Sequence, residues 1–264
     1  MSHSFLRVGS GRVEYEWHHG AVDARPEGDR GPALVFLHEG LGCRALWRGF
    51  PQHVARATGL DAFVYSRPGY GASDPIGPAV SQRYMHDEAL NVLPKVLRAA
   101  AIAEHILVGH SDGASISIIY AGGNAGDGLR GLVLLAPHVF VEPLNLRSIA
   151  KARDAFERGD LASRLKRWHG ANTTYAFSRW NDSWLAPEFA RWNIEEYLPR
   201  IRVPILVIQG QSDEYGSNAQ IEAIERQAGG KVRSVLLPEC GHSPQLDQPQ
   251  ATLNEIVSFV KSLA

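Results

Sequence analysis

The 264-residue chain is short of the features that mark several large classes of protein. It has two cysteines, Cys43 and Cys240, so no disulfide framework holds it together, and a reducing, cytoplasmic compartment is the simplest expectation. It lacks an excess of either charge: 27 Lys and Arg stand against 28 Asp and Glu, a formal net charge of −1. That balance implies no basic face and argues against nucleic acid as a partner. No apolar run reaches the ~18 residues of a membrane span, so no membrane partner is expected. Met1 to Arg7 lacks the apolar h-region of a signal peptide. C-x-x-C, H-E-x-x-H and Walker patterns are missing, and Gly122, Gly123 and Gly126 follow a helix-like stretch rather than a strand. No metal, nucleotide or flavin cofactor is therefore expected. What is present is an ordinary globular composition, 44% apolar and 21% charged, with room for one large α/β domain and an insertion.

Val13 to Trp17 alternates apolar and polar residues, the pattern of a half-buried strand, pairing with Phe5 to Val8 as a hairpin. A polar loop, Ala21 to Pro32, follows. The pattern then changes to short continuous apolar runs: Ala33–Leu37, Ala62–Tyr65, His105–Val108, Leu132–Leu135, Ile205–Ile208 and Val232–Leu237. Runs of this kind predict strands buried on both faces of a mainly parallel sheet. Helical spacing lies between them, over Met85–Ala103 with Pro94 expected to kink or break it, over Ala219–Gln227 and over Leu253–Leu263. Such alternation predicts a doubly wound α/β sheet, whose functional loops lie beyond the carboxyl ends of the strands. Only residues 137–202 interrupt it, and they hold Trp168, Trp180, Trp184 and Trp192. This segment is expected to be a helical cap, with residues 1–136 and 203–264 forming the core.

Gly109-His110-Ser111-Asp112-Gly113 matches G-x-S-x-G between an apolar run and a helix-like segment, the context a nucleophile elbow requires. Alone, the motif also fits a plain tight turn. Downstream, Asp213 follows one apolar run and His242 the next, giving the order Ser111, Asp213, His242. Serine needs a base to take its proton, and the base needs a carboxylate to fix its tautomer. Singly, Asp213 reads as a helix cap and His242 as a surface histidine; together with Ser111 they read as a triad. The oxyanion donors are expected from the backbone N–H of Asp112 and from the loop His38-Glu39-Gly40-Leu41-Gly42, with Gly40 favoured over Glu39 and Leu41.

These pieces, with the turn Arg67-Pro68-Gly69-Tyr70-Gly71-Ala72-Ser73, resemble the α/β-hydrolase fold superfamily over essentially the whole chain. The turn is similar to one found in a subgroup of lactonases, esterases, meta-cleavage-product hydrolases and cofactor-free haloperoxidases. The resemblance implies an eight-stranded sheet with a cap inserted after the sixth strand. It implies a carboxylic ester hydrolase acting on a small ester, lactone or thioester. Carbon–carbon bond hydrolysis, perhydrolysis, a lyase reaction and a slow-turnover receptor are the alternatives on the same scaffold.

Two departures from that pattern stand out. Glu39 intervenes between His38 and Gly40, and is expected to pair with an arginine such as Arg44 or Arg67. Asp112 replaces a residue that is often apolar, and its charge should disfavour anionic groups near the nucleophile. His110 and Cys240 are expected to be structural. Glu39, His138, Trp168, Trp180 and Trp184 are candidates for the substrate pocket, with Trp192, Phe140, Tyr175 and Phe177 as further apolar wall. At least two of the four cap tryptophans are expected to fill the cap's own core. The expected partner is a small-molecule substrate; a homodimer is compatible with the sequence.

Overall fold

In the computed structural model, which describes residues 4–20, 31–124 and 126–263, the apolar runs become the middle of one eight-stranded sheet. The chain begins with a hairpin, β1 (Ser4–Val8) and β2 (Gly11–His18), in register Ser4 opposite Tyr15 and Val8 opposite Gly11. Then follow β3 (Ala33–Leu37), α1 (Phe50–Thr58), β4 (Ala62–Tyr65), α2 (Tyr84–Asp87), α3 (Leu93–Ala99) and β5 (His105–His110). Next come α4 (Asp112–Asn124), β6 (Leu129–Leu135), α5 (Pro143–Arg158), α6 (Leu161–His169) and α7 (Thr173–Trp184). The chain ends with β7 (Ile205–Gly210), α8 (Ala219–Gln227), β8 (Val232–Leu237), α9 (Pro244–Asp247) and α10 (Pro249–Lys261). The strand order is β1-β2-β4-β3-β5-β6-β7-β8, with the β1–β2 and β2–β4 pairs antiparallel and the other neighbouring pairs parallel.

The continuous apolar runs have a simple cause: successive side chains enter opposite cores. Val35, Leu37, Leu107, Leu132 and Leu134 face one core with α2 to α7, while Leu34, Phe36, Ile106, Val108 and Val133 face the other with α1 and α10. β8 departs from that expectation. It is the edge strand, half exposed along its length, with Arg233 turned outward. The Met85–Ala103 helix runs instead from Tyr84 to Ala99, through a wide π-helical turn at Glu88–Val92 just ahead of Pro94. The wide turn keeps the helical path despite the missing Pro94 N–H and the bulk of its ring. The loop expected over Ala21 to Pro32 lies, for residues 21–30, outside the described residues.

Between β6 and β7 lie α5, α6, α7 and short 3₁₀ turns, with a lone bridge joining Phe140 to Asn193. His169 and Asn172 fasten this segment to the sheet's carboxyl edge. His169 Nε2–H donates to Leu41 O (3.0 Å) while its Nδ1 accepts from Gly71 N–H (3.0 Å), and Asn172 donates to Ser73 O (2.7 Å). Among the described residues no helix is long and apolar enough to cross a membrane.

Candidate active site

Ser111 occupies the turn between β5 and α4 with φ +53°. This left-handed conformation costs an L residue ~1–2 kcal/mol. Gly109 and Gly113 make the turn sterically feasible. A Cβ at position 113 would run into the Leu37 carbonyl, and one at 109 into the backbone of Gly113. The turn is pinned by Ser111 N–H donating to Leu135 O (2.9 Å) and by Ala114 and Ser115 N–H donating to Ser111 O (2.9 and 3.0 Å).

The loops after β7 and β8 bring Asp213 and His242 to the same sheet edge. The Ser111 hydroxyl donates to His242 Nε2 over 2.9 Å. His242 Nδ1–H faces both Asp213 oxygens, at 2.9 and 3.0 Å. Tyr215 and Gly216 N–H also donate to Asp213 Oδ1, at 2.8 and 3.2 Å. Burial alone would raise the Asp213 carboxyl, but the charge and hydrogen bond of His242 and the Tyr215 N–H hold it below its ordinary value. His242 moves the other way. Burial would lower it, yet the Asp213 charge and hydrogen bond, joined by Glu214 and Glu39, lift it above the ordinary imidazole value. Asp247 serves the loop rather than the imidazole, accepting from Gly241 N–H at 2.9 Å.

A cavity of about 110 Å³ opens over Ser111 and His242. Glu39, Gly40 and Leu41 form one side, His138, Asn145, Ile149 and Tyr215 another, and Trp180 and Trp184 of α7 the roof. The Trp180 indole lies directly on the Cα of Gly40, where any side chain would collide with it. His138 stacks on His242 (centroids 5.5 Å apart), and burial, then the adjacent His242, pushes it down to about 3, so it is neutral. Asp112 opens α4, and N–H groups in the first turn of a helix have no earlier carbonyl to bond. Its carboxylate is fully buried, accepting from Tyr84 Oη–H (2.5 Å) and Trp184 Nε1–H (3.2 Å), with Arg67 Nη2 at 3.8 Å. The charge expected beside the nucleophile is thus met inside the protein. Burial raises this carboxyl, against the pull of Arg67 and both donors.

Several expectations need correction. Trp168 is not in the pocket: on α6 it is 44% exposed and is not among the residues lining the cavity. Trp192 packs on Phe189 (5.3 Å) and Trp184 (5.6 Å), in the same buried cluster as the sheet's Val35 and Leu132, and does not line the cavity. Phe177 stacks on Phe156 (3.7 Å), Tyr175 lies against Gly69, and Phe140 bridges to Asn193; none of the three lines the cavity. Glu39 pairs with neither arginine through its carboxylate. Arg44 goes to Glu14 and Glu16, and Arg67 donates to the Glu39 carbonyl (2.9 Å). The Glu39 carboxylate faces His110, with Oε2 3.5 Å from Nδ1. Asn145, Ile149 and Tyr215 are cavity residues that the sequence pattern did not single out. Only Tyr215, two positions after Asp213, carried a positional signal.

A strained serine at the end of a central parallel strand, backed by a histidine and an acid from the next loops, is the layout of an α/β-hydrolase fold. Residues 34–255 match the sequence profile of the alpha/beta hydrolase family, and the chain belongs to it. A proline iminopeptidase from Mycobacterium smegmatis superposes with a TM-score of 0.73 at 18% identity, covering 99% of this chain and 98% of its own. The esterase RhEst1 from Rhodococcus sp. ECU1013 gives 0.73 at 18% identity and covers 100% of both chains. An enol-lactonase from Burkholderia xenovorans LB400 gives 0.73 at 15% identity, covering 98% of this chain and 100% of its own. At these identities the likeness is one of fold. Comparison with curated protein sequences finds no significant match.

Proposed function

We propose that the protein is a serine hydrolase of small esters, lactones or thioesters, working through an acyl-enzyme with Ser111 as nucleophile, His242 as base and Asp213 as its orienting acid. The observation that carries this reading is the unbroken chain from Ser111 Oγ through His242 to Asp213, each link 2.9 Å, opening into a cavity. Ser111 attacks the substrate carbonyl as its proton passes to His242 Nε2. The charge that develops on the carbonyl oxygen is held by the N–H groups of Asp112 and Gly40. Collapse expels the alkoxide or thiolate, which takes the proton back from His242. Water then gives a proton to His242 and attacks the acyl carbon, freeing Ser111. Residues 137–202 act as a lid whose Trp180 and Trp184 limit the acyl group, and a space of about 110 Å³ suits a short one.

The experiment is a panel of p-nitrophenyl esters of rising acyl length, run beside lactones and a meta-cleavage product, with a fluorophosphonate probe. Short esters or lactones should turn over, and the probe should label Ser111. Carbon–carbon cleavage without ester turnover, or labelling at another serine, would overturn the reading.

A further inference from the structure

Two of the side chains next to the machinery that the triad leaves unused, Glu39 and His110, meet each other. His110 is 2% exposed and sits one residue before the nucleophile. Its Nε2 lies 2.7 Å from the His242 carbonyl. A carbonyl only accepts, so Nε2 carries a proton and donates it there. On the ring's other side are Glu39 Oε2, 3.5 Å from Nδ1, and the end of the Gln245 amide at 3.1 Å; with a proton on Nδ1 facing the carboxylate, the Gln245 amide oxygen, otherwise buried without a partner, takes the place next to the ring and accepts as well. Gly42 leaves room for the carboxylate, since a Cβ there would fall on it. The Glu39 backbone is itself fixed: its carbonyl accepts from His38 Nδ1–H (2.8 Å), Arg67 Nη2 (2.9 Å) and Gly42 N–H (3.1 Å).

We propose that Glu39 and His110 are positioning residues, a second carboxylate–imidazole couple that ties the loop bearing Gly40 to the backbone of His242. The couple joins the loop after β3, the last residue of β5 and the loop after β8, which carry or adjoin the oxyanion donor, the nucleophile and the base. It rests on the hydrolase reading and adds to it what holds the parts in register. A misplacement of ~1 Å at such a site costs about a hundredfold in rate. Glu39 also contributes charge. His242 is faced by Asp213, Glu214 and Tyr215 from the loop after β7, His138 after β6, His110 at the end of β5 and Ser111 just after it, and Glu39 after β3. Glu39 is held ionised at about 2: burial would raise it, but His110 and then His38 pull it down.

The test uses the full-length protein and the rate at which a fluorophosphonate labels Ser111, read across pH. His110→Ala should slow labelling about 10- to 100-fold, and His110→Gln, whose amide N can replace Nε2, should recover most of the loss. Glu39→Gln keeps the shape and removes the charge, so the acid limb of the labelling profile should move to lower pH. Combined with His110→Ala it should slow labelling no further than His110→Ala alone. Should Glu39→Gln label with an unmoved profile, the couple is refuted, even where His110→Ala fails to fold. Equal rates for His110→Ala and His110→Gln would refute it as well. Wild type that does not label at all would instead remove the hydrolase reading and this couple with it.

Discussion

Asp213→Asn is the sharpest perturbation of the triad because the backbone dictates how the new amide must sit. Tyr215 and Gly216 N–H both point at Oδ1, so the amide oxygen takes that position. The NH₂ group is left in the Oδ2 place, 3.0 Å from His242 Nδ1. The amide oxygen, 2.9 Å from Nδ1, can still accept but has lost the charge that held the proton there, while the NH₂ group only donates, so the balance shifts toward the ring tautomer with its proton on Nε2. Nε2–H then faces Ser111 Oγ at 2.9 Å and cannot take the serine proton. The expected loss is about 10⁴ in kcat, or about 5.4 kcal/mol in the barrier, with the far-ultraviolet circular dichroism unchanged. Asp247→Asn provides the control, because Asp247 bonds Gly241 N–H and leaves the imidazole tautomer alone. Ester turnover and the fluorophosphonate labelling rate measure both variants. More than a tenth of wild-type activity in Asp213→Asn, or a larger loss in Asp247→Asn, would refute the tautomer argument.

Ser111→Ala should lose about 10⁶ in kcat and all probe labelling while remaining folded, as activity assays and thermal melting will show. In wild type the kcat/KM profile should have its acid limb above pH 6.5, because His242 must be neutral to act and Asp213 lifts its pKa above that value; a limb at or below pH 6.5 would contradict this. Trp184→Ala should cost ~3–5 kcal/mol and reorder the ester panel, since Trp184 is both buried and part of the cavity roof. Trp168→Ala should stay within about 0.5 kcal/mol and leave the order alone, and denaturant titration separates the two.

The sheet was legible in sequence because parallel strands covered on both faces bury successive side chains and so read as apolar runs, as β3 does throughout and as β5, β6 and β7 do over Ile106–Val108, Leu132–Leu135 and Ile205–Ile208. β8 is a strand over the expected Val232–Leu237, but its burial was misread for the same reason turned round, since an edge strand needs only one apolar face. Ser111, Asp213 and His242 could be singled out because each directly follows such a run, and the geometry brings these three together. Side-chain direction in the cap could not be read. Trp168 and Trp180 both lie on amphipathic helices, and which stripe faces the core depends on how α6 and α7 pack against α5. The Arg67, Tyr84, Asp112 and Trp184 cluster was also hidden, because its members come from four separate segments.

Gly40→Ala sets Trp180 of α7 against the loop proposed to bear an oxyanion donor, and the contacts of each say which should yield. The new methyl would fall on the Trp180 indole, an overpacking that costs ~1–3 kcal/mol however it is relieved. The loop is anchored on both sides of Gly40. His38, Arg67 and Gly42 all donate to the Glu39 carbonyl, and His169 donates to the Leu41 carbonyl. Trp180 is held by ring contacts, edge-on to Phe177 at 6.3 Å and tilted against Tyr215 at 6.5 Å. Shifting a ring contact breaks no hydrogen bond, whereas moving the loop strains several of about 1 kcal/mol each. Trp180 should therefore swing outward, the N–H of residue 40 should keep its place, and the cavity should grow. On the ester panel, longer acyl groups should gain kcat/KM relative to short ones. A uniform fall in kcat across every chain length would mean that the loop moved instead, and that the hydrogen bonds around Glu39 and Leu41 do not hold the oxyanion donor as argued.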